Sequence, residues 1–189
     1  MSGPDGFEII GTTTIADVGF LALVEREVRG HGETFTRVVV EHPGAVVVVP
    51  VDADGETITL VRQYRAATGT DMLEVPAGKR DVEGEAPERT AERELVEEIG
   101  RRPGRLVPLG EFYNTPGFCS EYTYLFAAFD LEVVERASAT VEEAAMTIEQ
   151  IALADVDDLI ASREIVDAKT IIGLTLTRRF LAGEYPGLR

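Results

Sequence analysis

From Phe7 to His42 apolar and polar residues alternate in short runs: Phe7-Glu8-Ile9-Ile10, Gly19 to Val28, and Phe35 to Val40. A period of two predicts half-covered strands, and Asp17 and Arg29-Gly30-His31-Gly32 supply the breaks expected between about three antiparallel ones. Three strands of that length make a poor core alone, so they must pack within their own domain or on a second copy of the chain. Pro43-Gly44 then marks a boundary, which predicts an N-terminal β unit over residues 1–43 and a second domain over residues 44–189.

Beyond the boundary the pattern changes. Ala45 to Val51 is dominated by valine, the mark of a strand covered on both faces, and Asp52-Ala53-Asp54-Gly55 turns the chain into Thr57 to Tyr64. Leu73-Glu74-Val75 leads through Pro76-Ala77-Gly78 to a helix with Pro87 in its first turn and Gly100 at its end, although Ala86 is a weak cap. Strands at about 106–113, 122–133 and 146–153 follow, then helices at about 154–162 and 166–182, the last with Ile171, Leu174 and Leu181 at helical spacing. The fold class expected is α+β, with helices against a mixed sheet.

A chain of 189 residues that is 44% hydrophobic can build a sizeable core without staples. Its formal net charge of −16 repels nucleic-acid backbones and anionic membranes, which argues against a polynucleotide or membrane partner. The lone Cys119 cannot close an intrachain disulfide, no basic-then-apolar leader is visible, and no apolar run would span a bilayer. The expected location is therefore the cytoplasm.

The helix after Pro87 carries the chemistry. In Arg93-Glu94-Leu95-Val96-Glu97-Glu98-Ile99-Gly100, Glu94 and Glu98 lie within ~40° of each other on the helix surface and Glu97 sits ~60° to the other side. Such like-charge spacing costs an isolated helix roughly 0.2–0.5 kcal/mol per pair. A bound cation would remove the conflict, and ligands that are all oxygen select a hard ion such as Mg²⁺. Ala91, Leu95 and Ile99 recur every four residues, so one face buries itself while the carboxylates border a cleft.

Residues 78 to 101 resemble the signature box of the Nudix hydrolases, which cleave a nucleoside diphosphate linked to another group. Two departures stand out: six residues rather than five separate Gly78 from Glu85, and Arg101 takes the place of the final aliphatic residue. The extra residue falls in a loop, where insertion is cheap. The resemblance implies an α/β/α sandwich with a mixed central sheet and an N-terminal antiparallel β appendage that packs across a homodimer. It also implies that Glu94 and Glu98 are principal ligands of Mg²⁺, or of Mn²⁺, with Glu97 joining through a second ion or water. The Ala77 carbonyl would complete that shell, and Arg93 would hold the acidic turn together in the catalytic machinery.

Two further segments resemble ADP-ribose pyrophosphatases. Val61-Arg62-Gln63-Tyr64-Arg65 followed by Leu73 to Gly78 looks like their approach to the box. There the arginine matching Arg65 contacts the diphosphate, and its planar fork suits phosphate. Glu74 reads as substrate-binding or as a salt-bridge partner, and Lys79 matches a position whose main chain touches substrate. Pro116, sixteen residues beyond Gly100 in Asn114-Thr115-Pro116-Gly117, resembles the subgroup's marker proline and assigns Thr115 and Pro116 to the substrate loop. The subfamily's proton acceptor is a loop glutamate, here Glu142 by its spacing to Met146, with Glu143 the neighbouring alternative. The implied reaction is hydrolysis of a small nucleoside diphosphate sugar, ADP-ribose, to AMP and ribose 5-phosphate. Hydrolysis of GDP-mannose or ADP-glucose, or non-catalytic sensing of ADP-ribose, are the rival readings.

Overall fold

The computed structural model describes residues 6–136 and 144–188. The chain divides into two compact units, residues up to Gly44 together with Tyr113–Tyr122, and Ala45–Phe112 together with Thr123–Arg189.

In the first unit, β1 (Glu8–Asp17), β2 (Ala22–Gly30) and β3 (Glu33–Glu41) form an antiparallel sheet in that order. Gly30 pairs with Glu33, so only His31 and Gly32 turn the chain, and both have positive φ, 51° and 82°. Turns with two left-handed residues match the twist of the strands they join. The segment 113–122 is tied to the end of β3. Val40 N donates to Phe118 O at 2.7 Å, Ser120 N to Val40 O at 2.9 Å, and His42 N to Ser120 Oγ at 3.0 Å.

The second unit is built on β4 (Ala45–Pro50), β7 (Ala77–Lys79), β9 (Arg105–Tyr113) and β10 (Tyr122–Phe129), in the order β7-β4-β10-β9. β4 runs parallel to β10 and antiparallel to β7, so the sheet is mixed. A second sheet sets β5 (Thr57–Arg65) between β12 (Thr147–Ala152) and β6 (Thr70–Glu74). The helices are α1 (Pro87–Ile99), α2 (Val156–Ala161) and α3 (Ala168–Leu181). The short strands β8 (Arg101–Arg102) and β11 (Glu132–Val133) pair with each other.

Alternate valines of β4 explain the layers. Val46 and Val48 join Phe126, Ala128 and the α1 residues Ala91, Leu95 and Ile99 in one core. Val47, Val49 and Val51 turn the other way, to Leu125, Ala127, Val156, Ile165 and Leu174. Val46 to Val49 have no exposed surface, and burying a valine contributes about 1.5–3 kcal/mol. A helix therefore covers each face of the sheet. On the far side α3 comes close, because a Cβ on Gly173 would lie 3.1 Å from Val49 Cγ2 and 3.3 Å from Leu125 Cδ1.

Two details differ from the pattern reading. The strand expected over 122–133 is broken at Asp130, whose φ of 55° no strand tolerates, and the chain re-forms as β11. Leu181 is exposed at the end of α3, beyond the reach of the core. Among the described residues, no helix is long and apolar enough to cross a membrane.

Candidate active site

Helix α1 starts and stops where backbone chemistry demands. Pro87 occupies the first turn, where its missing N–H costs nothing, and Ala86 makes no side-chain cap bond. Gly100 adopts the left-handed conformation (φ 62°) and its N–H reaches Leu95 O and Val96 O. A Cβ there would lie 2.9 Å from Val134 O, so glycine is needed for space as well as conformation. The additional residue ahead of Glu85 lies in the segment between β7 and α1, where Gly84 has φ 76° and Glu85 N closes a turn on Val82 O. The helix itself is uninterrupted.

Burial of Ala91, Leu95 and Ile99 rolls the acidic side of α1 beneath β7. Glu94 and Glu98 are 7% and 3% exposed, more enclosed than carboxylates at the border of a cleft. Arg93 gathers them. Its Nη1 donates to Glu94 Oε1 at 2.7 Å and to Glu97 Oε2 at 2.9 Å; its Nη2 reaches Glu85 Oε2 at 3.4 Å and Lys79 O at 3.5 Å. Thr90 Oγ1 donates to the same Glu85 oxygen at 2.8 Å. Burial alone would lower the pKa of Arg93, but Glu94, Glu85 and Glu97 outweigh it and hold the guanidinium above its usual range.

Glu98 is fixed from the strand, accepting from Ala77 N at 3.1 Å. Gly78 lies against Glu94 so tightly that an added Cβ would stand 1.8 Å from the carboxyl carbon. A glycine at this point lets backbone and carboxylate share one space. Among the described residues no three ligating side chains already form a metal cluster. The donor set nevertheless fits a hard divalent cation: three glutamates, oxygen only, two of them converging on the one nitrogen of Arg93.

A second arginine faces this turn from the sheet. Arg65 Nε and Nη2 bond Glu74 Oε1 and Oε2, both at 2.8 Å, and Glu74 is 2% exposed. This bidentate pair raises the Arg65 pKa, with Glu98 and Asp167 adding to the effect. Both Glu74 oxygens are thus engaged by Arg65, which Glu74 holds in place. Behind it, Asp167 caps α3 by accepting from Thr170 N and Thr170 Oγ1, each at 2.8 Å, and from Lys169 Nζ at 2.7 Å. Thr170 Oγ1 in turn accepts from Val75 N at 3.1 Å, which anchors the residue next to Glu74. For Asp167, burial raises the pKa but Lys169 and Thr170 bring it below the usual carboxylate value, so it is ionised at neutral pH. The sequence reading did not include Asp167 or Thr170, although an aspartate immediately before a helix start is an N-cap signal.

Arg65, Glu74, Ala77, Lys79, Arg93, Glu94, Glu97 and Glu98 all belong to the second unit. Lys79 offers its carbonyl to Arg93 and its amine lies 4.0 Å from Asp81. Thr115 and Pro116 belong to the first unit, where Thr115 O accepts from Phe118 N and Cys119 N and closes the loop turn. Glu142 and Glu143 lie outside the described residues.

Residues 41–169 match the NUDIX domain. The chain is 39% identical over 140 residues to the ADP-ribose pyrophosphatase of Bacillus subtilis, covering 74% of this chain and 75% of that protein. It is 37% identical over 178 residues to the ADP-ribose pyrophosphatase of Mycobacterium tuberculosis, covering 94% and 86%. In fold it resembles the crystal structure of an ADP compounds hydrolase, with a TM-score of 0.82 at 22% identity over 95% of this chain and 96% of that one. A match of this extent shows that the chain belongs to the Nudix family, hydrolases that generally need a divalent metal ion.

Proposed function

We propose that the protein hydrolyses the diphosphate bond of ADP-ribose, giving AMP and ribose 5-phosphate, with Mg²⁺ or alternatively Mn²⁺. The observation that carries this reading is the pairing of a buried, arginine-gathered carboxylate turn with a preformed arginine fork in the same unit. The two pyrophosphatases that are similar over most of their length support the choice of nucleotide.

In this reading Glu94, Glu98 and Glu97, with the Ala77 carbonyl, hold the divalent ion. When bound, the ion supplies charge neutralisation at the phosphates and a more acidic water. Arg65, braced by Glu74, binds the diphosphate. Glu142, with Glu143 as its neighbouring alternative, accepts the proton of the attacking water. The Lys79 main chain and the Thr115-Pro116 loop contribute to the substrate side.

The test is a panel of ADP-ribose, GDP-mannose, ADP-glucose and NADH with Mg²⁺. The kcat/KM for ADP-ribose is expected to lead by about tenfold or more, a discrimination within reach of a polar site. Turnover of GDP-mannose alone overturns the substrate assignment, and tight ADP-ribose binding without turnover favours a sensor.

The protein acts as a homodimer through its first unit. Ile9, Ile15, Val18, Phe20 and Val38 are exposed there, apolar side chains that a second copy of the sheet would cover. Sedimentation equilibrium is expected to give twice the 20.6 kDa chain mass, and a single-chain mass at micromolar concentration removes the proposal. The location assigned is the cytoplasm, the compartment suited to a chain whose lone cysteine forms no internal bridge. Fractionation that finds the protein outside the cytoplasm would refute it.

A further inference from the structure

β5 turns one more polar side chain toward α1. Side chains alternate along a strand, so Val61, Gln63 and Arg65 share a face. Val61 packs in the α1-side core and Arg65 feels the charge of Glu98, so Gln63, between them, faces the α1 turn that ends in Glu98. Its cross-strand neighbour on β6 is Met72. On the other side β12 begins with Thr147 opposite Arg62, and one step back along that register stands the buried Met146.

Gln63 is 6% exposed, and its Nε2 is buried without a hydrogen-bond partner among the described residues. Its flanking methionines and Val61 offer no good acceptor. Folded proteins rarely leave an amide N–H₂ in that condition, because the desolvation is uncompensated until an acceptor arrives. The position indicates where the acceptor comes from. Two residues along a strand span about 6.6 Å, so Gln63 and the Arg65 fork stand side by side on the face that looks at the carboxylate turn. A second cation here would pair with Glu98, whereas a neutral amide keeps its protons for an incoming oxygen.

We propose that Gln63 is a substrate-binding residue whose carboxamide donates to an oxygen of the diphosphate, beside the phosphate held by Arg65. The inference rests on the diphosphate reading above but not on the nucleoside or the sugar.

The test is Gln63→Met, which keeps the volume and removes the donor, in the full-length protein. Because the donor is unpaired before ligand arrives, the melting temperature is expected to stay the same or rise. Affinity for methylenediphosphonate with Mg²⁺, by calorimetry, is expected to fall about tenfold or more. The KM for the best substrate should rise by a similar factor. Unchanged diphosphonate affinity overturns the proposal, as does failure of the wild type to bind that probe. A melting temperature several degrees lower also overturns it, since it would reveal a structural partner. So does a loss of kcat at unaltered affinity, which would assign Gln63 to the attacking water. The probe carries no nucleoside, so a wild type that binds it yet ignores ADP-ribose would refute the substrate assignment and leave this inference standing.

Discussion

Glu98→Gln is expected to lower kcat on ADP-ribose by roughly three orders of magnitude or more, about 4 kcal/mol of lost transition-state stabilisation, while the fold survives. The two halves of that expectation have separate causes. Glutamine keeps the shape of the side chain and an oxygen that can accept from Ala77 N, the contact Glu98 makes at 3.1 Å, so β7 and α1 stay docked. It also removes one negative charge from a turn that carries three, and the melting temperature measured without divalent ion should hold or rise. The loss falls on chemistry because an amide is a poor ligand for a hard cation where a carboxylate is a good one. Steady-state kinetics on ADP-ribose with Mg²⁺, beside a thermal melt in chelator, check both. Retention of more than a tenth of the wild-type kcat would remove Glu98 from the metal site. A fall in melting temperature of several degrees would recast it as a structural residue.

The frame of this site was legible wherever periodicity and side-chain identity coincide. The valines of Ala45 to Val51 read as a strand covered twice because no polar residue interrupts them, and alternate side chains do enter different cores. Helix α1 was legible from Pro87 to Gly100 because both ends are set by residues with special backbone chemistry. Asp130 was not, since a single left-handed residue inside an apolar stretch leaves no periodic trace.

What stayed hidden are contacts between residues distant in sequence. Nothing near Val75 indicates that Thr170, 95 positions later, supports its backbone N–H. The depth of Glu94 and Glu98 was equally out of reach, because helical spacing gives the direction of a side chain and not what lies above it. What lies above Glu94 is Gly78, and the glycine that opens the box is explained by the absence of room for a Cβ. The grouping of 113–122 with the N-terminal strands likewise arises from hydrogen bonds between residues nearly eighty positions apart.

Arg93→Met should destabilise the fold more than Glu98→Gln or Gln63→Met, and a divalent ion should partly reverse the damage. The guanidinium now donates to Glu94, Glu97, Glu85 and the Lys79 carbonyl. Methionine retains the stem and leaves three carboxylates, with side chains 9%, 21% and 17% exposed, without their common cation. Removing one partner of a buried pair costs about 3–5 kcal/mol, and the 29% exposure of Arg93 moderates this to roughly 2–3 kcal/mol. For a chain of this size that corresponds to a fall in melting temperature of about 4–12 °C in chelator. In the proposed site a divalent ion would take the Glu94 and Glu97 oxygens that Arg93 now engages, so the rise on adding Mg²⁺ should be larger in the variant than in the wild type. Thermal melts of both proteins with and without Mg²⁺ measure the difference directly. A variant within a degree of the wild type in chelator would deny Arg93 its role as the hub, and equal Mg²⁺ shifts in the two proteins would mean that guanidinium and ion do not share those oxygens.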